Sequence, residues 1–176
     1  MMVAEGAHLA ANKLPNESRF AEMKHAAQAA GLLHTLGLLW LTDEFPKETN
    51  QAFEILIQDP SITLNQALES IVGIGYETVN ALLAEHWKLP ELLVIAMTHH
   101  LDPNYQGDAW ELSQLVHVIA QMASAIDAGL VEFPENVLLE SLGIDKIQQA
   151  SIYQQLLNKH EKIREIMALS LFSRKN

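Results

Sequence analysis

The sequence predicts an all-α protein, a single compact multi-helix domain. Apolar residues recur at the helical period through nearly the whole chain. No stretch shows the alternation of β-branched and polar residues that marks a strand. The breaks between apolar runs carry helix caps and Pro or Gly stops. With 176 residues, 49% of them hydrophobic, the chain is long enough to bury one core.

Each element follows from its own signals. Asn16 after Pro15 is a cap for a helix starting near Glu17, on which Leu32, Leu33, Leu36, Leu39 and Trp40 share one face, with Gly31 as a place where it can break. Phe45-Pro46 opens a helix that ends before Asp59-Pro60. Thr63 and Gln66 have the spacing of a capping box, and Gly73-Ile74-Gly75 closes that helix. Val79, Leu82, Leu83, His86 and Trp87 continue the period, which places Trp87 in the core, in a structural joint with Leu89 and Pro90. A helix from Glu91 runs to Leu101, before Asp102-Pro103. The next begins near Asp108, carries Leu112, Leu115, Val116, Ile119, Ala123 and Ile126, and stops at Gly129. A short helix after Pro134 ends by Gly143, and Asp145 with Gln148 caps a last helix running toward Ser170. The expected division is a tail over 1–20, a helical domain over 21–170 and a tail over 171–176.

Composition excludes several classes of function. The net charge of −11 repels phosphate backbones, so nucleic-acid binding is not expected. The absence of cysteine removes disulfide frameworks and thiolate metal sites. No apolar run approaches the roughly twenty residues of a membrane span, and no signal peptide is evident, so the expected location is cytoplasmic. Walker-type loops, His-Glu-x-x-His and the serine nucleophile elbow are also missing.

Eight histidines are the one unusual chemical resource. His34 lies within an apolar run, and His99 and His100 are adjacent near a helix end. Imidazoles between helices suit Fe, Mn, Zn or Ni, yet metals that turn over phosphate esters also want carboxylates for charge balance and bridging. The alternative is a core His34 and a pair, His99 and His100, facing the C-terminal carbonyls of their own helix.

The motifs resemble those of the HDOD domain, a branch of the HD metal-dependent phosphohydrolase superfamily. Gly31 to Leu39 resembles that family's "GLLHDIG" helix, Gly75 to Leu83 its "DHxxVGxxLL" segment, and Trp87 to Pro90 its "WxLP" turn. Ala96 to Pro103 resembles "IxxHHDP", Leu115 to Ala120 "LVHLAD", and Ser141 to Ile144 the "LGL" turn. The likeness runs from about Glu22 to Leu169. It implies an HD-like helical bundle and a degenerate ligand pocket of His34, Thr35, Tyr76, His99, His100 and Gln121. Thr35 stands where the family has the Asp of its name, Tyr76 where it commonly has His, and Gln121 near the Asp that closes the site in active enzymes. Nothing before Ala21 resembles the family's N-terminal half, so the chain reads as a truncated copy or the surviving C-terminal half.

The resemblance therefore implies a signalling or regulatory module without hydrolase activity, catalytic residues, metal or cofactor. It would act through a protein partner, or as a homodimer, by an uncovered apolar face containing the helix from Glu22 to Leu41. The alternatives are a divergent metal-dependent phosphohydrolase with an atypical ligand set, and a small-molecule sensor using His34, Tyr76 and His99.

Overall fold

The computed structural model describes residues 1–173, with side chains through Ile166. Every regular element among them is helical: α1 (Met2–Ala11), a 3-10 turn at Ser18–Phe20, α2 (Ala21–Leu33), α3 (Leu36–Glu44), α4 (Pro46–Gln58), α5 (Leu64–Val72), α6 (Tyr76–His86), α7 (Glu91–His99), α8 (Trp110–Asp127), α9 (Val137–Ser141) and α10 (Lys146–Ser173). The all-α class read from periodicity is the class the chain adopts. The chain divides into two compact units, Leu32–Gln114 and a second made of Met1–Gly31 with the segment from Leu115 onward.

In the discontinuous unit, α1 packs along α10, and Lys159 reaches Glu5 at 2.8 Å. The contact is close because α1 presents small residues: Ala4, Ala7, Ala10 and Ala11 are all buried. A Cβ on Gly6 would lie 2.5 Å from Ile119 Cγ2 of α8, and one on Gly31 of α2 would lie 2.7 Å from the Val3 carbonyl oxygen. The segment 1–20, expected as a tail, is therefore built into this unit, and the division at residue 21 does not describe the chain. Four of the buried positions of α1 are alanines, so its helical period carries little hydrophobic contrast. At the other end, the backbone of residues 171–173 continues α10, and the rest of the expected tail lies outside the described residues.

The cap expected from Asp145 and Gln148 forms, whereas at the expected Asn16 cap it is Glu17 that holds the N-cap, of the 3-10 turn and without a side-chain bond. Gln148 N–H donates to Asp145 Oδ1 at 2.8 Å and Asp145 N–H to Gln148 Oε1 at 2.9 Å. The stops at Gly129 and Gly143 are both Schellman motifs: Leu130 N–H donates to Ala125 O at 3.0 Å, and Ile144 N–H to Leu139 O at 2.9 Å. Both glycines have φ near +84°, where a Cβ costs energy. The same motif ends α6, with Leu89 N–H donating to Ala84 O at 3.0 Å, but there Lys88 holds the left-handed position at φ 54°.

The unit Leu32–Gln114 has its own core of Leu41, Ala52, Leu68, Tyr76 and Val79 with their neighbours. Pro46 opens α4, and Thr49 Oγ1 donates to Leu41 O at 3.0 Å, fixing α4 to the end of α3. Both halves of the Thr63–Gln66 capping box form at the start of α5.

The helix expected from near Glu17 through Trp40, with Gly31 as the place where it can break, is two helices that part at His34-Thr35, with Leu32, Leu39 and Trp40 exposed. The break re-aims α3 so that Gly37 and Leu41 turn inward instead. Trp87 is not a core residue: it caps α6 with 53% of its surface exposed. No helix among the described residues is long and apolar enough to cross a membrane.

Candidate functional site

The break between α2 and α3 is where the sequence's candidate residues meet, and Asn80 of α6 organises it. Asn80 is fully buried. Its Oδ1 accepts from Gly37 N–H at 2.6 Å, and its Nδ2 donates to His34 O at 2.6 Å and to Met97 O at 3.2 Å. One amide thus ties the start of α3, the last turn before the break and the end of α7 to one point. Only glycine fits at position 37, since a Cβ there would lie 2.3 Å from Tyr76 O. That close approach brings the His34-Thr35 turn against α6.

Around this bolt stand three rings. His100 is 1% exposed, and its Nδ1 lies 3.0 Å from Met97 O, the contact of an Nδ1–H donor with a carbonyl. The His34 ring sits edge-on to His100 at 5.4 Å, and the Tyr76 ring lies 6.0 Å from it at a tilt of 50°. Burial pushes the Tyr76 hydroxyl up to about 12, with the Glu77 charge adding to the effect. His99 stacks flat on Tyr105, 3.9 Å between centroids, and Tyr105 OH donates to Asp108 O at 3.1 Å. Thr35 occupies the N-cap of α3 without a side-chain capping bond.

Five of the six candidate positions, His34, Thr35, Tyr76, His99 and His100, belong to this one unit. Gln121 belongs to the other, on an exposed face of α8, where its Nε2 lies 3.0 Å from His117 Nε2. Sequence reasoning missed Asn80, which holds the site's backbone, and Asn65 and Glu77 beside it. Asn65 Nδ2 donates to Glu69 Oε1 at 3.0 Å, and Glu77 N–H approaches Asn65 Oδ1 at 3.4 Å. Burial, then the neighbouring Glu69 charge, raises the Glu77 carboxyl above its ordinary range, opposed by the Asn65 hydrogen bond and His99.

The donor set does not fit the metals of HD phosphohydrolases. Among the described residues no three His, Asp or Glu side chains are placed to hold an ion. Thr35 brings no carboxylate to stand beside His34, His99 and His100, and imidazoles alone leave a hydrolytic metal pair without charge balance or a bridge. What the arrangement can do is hold a rigid, aromatic-rich helix junction.

The sequence model of the HDOD domain matches residues 4–103, more than half of the chain. The match begins within α1, so residues 4–20 lie inside it, and the placement of the chain as the family's C-terminal half is corrected. No curated protein matches the chain. Among solved structures, a "Putative signal transduction protein" from Marinobacter aquaeolei is similar at a TM-score of 0.77 and 23% identity, covering 94% of this chain and 36% of that one. A "Putative phosphohydrolase" from Shewanella amazonensis is similar at 0.62 and 18%, covering 89% and 61%. An "HDOD domain protein with unknown function" from Geobacter sulfurreducens is similar at 0.61 and 21%, covering 94% and 58%. The chain spans between about a third and three fifths of the length of these proteins.

Proposed function

This chain belongs to the HDOD family, and from that premise we propose that it is a regulatory or signalling module that acts by binding a protein, without hydrolase activity. The observation that carries the proposal is the ring cluster at the α2–α3 break. Where a phosphohydrolase needs convergent imidazoles and carboxylates to hold ions and activate water, His34, Tyr76 and His100 pack ring against ring, and Thr35 caps a helix. A site of this kind supplies stability and shape rather than a polarised water.

The test is elemental analysis of the purified chain after incubation with Mn, Fe, Ni or Zn and desalting. The expected result is no stoichiometric ion, in the parent and in Thr35→Asp alike, because that change rebuilds one ligand of several. About one ion per chain, removed by His34→Ala, overturns the proposal and favours a divergent metal site.

A further inference from the structure

An apolar stripe is exposed on α3, within the helical segment whose face the sequence leaves uncovered. Leu36, Leu39 and Trp40 stand at i, i+3 and i+4 and so share one helix face. Leu36 is half-buried, Leu39 is 65% exposed and Trp40 39% exposed. The Phe45 ring, also 39% exposed, extends the stripe by meeting Trp40 edge-on at 6.0 Å. Large apolar side chains grouped in this way on a surface mark an interaction site.

The charge around the stripe says what covers it. On α3, Asp43 stands four residues beyond Leu39 and Glu44 four beyond Trp40, and Glu48 lies in the first turn of α4 that follows Phe45. Within residues 36–48 the one cation is Lys47. The last turn of α3 carries no basic residue.

We propose that this stripe is a docking surface for a basic amphipathic helix of a partner protein. The partner's apolar face would lie on Leu36, Leu39, Trp40 and Phe45, and its Lys or Arg residues would meet Asp43, Glu44 and Glu48. A second copy is disfavoured because it brings the same acidic patch, with Lys47 as the one cation of that segment to meet these carboxylates, on a chain already at −11. The inference rests on the proposed protein-binding role and names the partner's chemistry.

The probe is a fluorescent synthetic helix with one Leu/Trp face and one Lys face, and the control is the same peptide with Glu in place of every Lys. Anisotropy should show binding of the basic peptide alone. The double variant Leu39→Gln, Trp40→Gln should weaken it by about tenfold or more, the loss expected for central apolar anchors. Ile57→Gln, exposed on α4 outside the stripe, should leave it unchanged. Asp43→Asn with Glu44→Gln should weaken binding and flatten its salt dependence, whereas the equal charge loss of Glu132→Gln with Glu140→Gln should not. Circular dichroism confirms that these surface variants are folded. Equal effects from the two charge pairs, or no effect of Leu39→Gln, Trp40→Gln, overturn the surface. A parent dimer on a sizing column that the Trp40 variant dissociates overturns the partner assignment, because the occupant is then a second copy. Metal-dependent hydrolysis would sink the proposed function and leave these binding results standing; failure of the peptide to bind would do the reverse.

Discussion

Truncating Asn80 to alanine removes the group on which the helix junction depends. The amide makes three hydrogen bonds, to Gly37 N–H, His34 O and Met97 O, inside a fully buried site. Met97 O keeps its contact with His100 Nδ1, so its loss is partial. Gly37 N–H lies in the first turn of α3 and has no carbonyl four residues back within that helix. A buried donor left unpaired costs about 1–3 kcal/mol, and each further net hydrogen bond about 0.5–1.5 kcal/mol, so Asn80→Ala should lose about 2–4 kcal/mol. The junction cannot easily relax, because α3 and α6 already touch backbone to backbone at Gly37. Urea unfolding reads the loss as a lower midpoint, and hydrogen exchange reads it locally as faster exchange of the Gly37 amide. A loss under about 0.5 kcal/mol with the Gly37 amide still protected would refute the reasoning, since that is the size of an ordinary surface change.

Other outcomes follow from the same structure. Lys88→Gly should stabilise the chain by up to about 1 kcal/mol in thermal melts, because it relieves a side chain in the left-handed position that glycine fills at the two sister motifs; destabilisation would show that Lys88 makes a contact worth more. Trp87→Ala should cost well under the roughly 3–5 kcal/mol of a buried tryptophan, as its exposure requires; a loss in that range would return it to the core. Glu77 has a raised carboxyl pKa, so the folded state holds its proton longer than the unfolded state, and stability falls as pH rises through the folded value. Glu77→Gln should therefore melt higher than the parent at neutral pH, with the gain vanishing below the ordinary carboxylate range. Tyr76, held near 12, should lower stability between about pH 10 and 12, where only the unfolded chain ionises; Tyr76→Phe should remove that part of the alkaline loss.

Much of the fold was legible because it is written locally. The capping box at Thr63, the Asp145–Gln148 pair and the stops at Gly129 and Gly143 each depend on residues within a few positions of one another. The errors arose where distant contacts decide. The period from Leu32 to Trp40 is helical, but a period does not say which face is buried. That choice was made by Gly37, whose missing side chain admits α6, and by Asn80, which has no sequence mark tying it to residue 37. Trp87 followed the same period into an exposed cap. The opening helix escaped notice because alanine and glycine pack by closeness rather than by hydrophobic contrast. Among the site residues, the clustering of His34, Tyr76 and His100 was legible from the family motifs. The stack of His99 on Tyr105 was not, since it depends on how the chain turns after α7.

The most direct test of the central claim is turnover of a chromogenic phosphodiester by the purified chain in the presence of Mn, Fe, Ni or Zn. The expected result is no rate above that of the metal in buffer, for the parent and for His34→Ala alike. Turnover that a chelator abolishes and His34→Ala removes would contradict it.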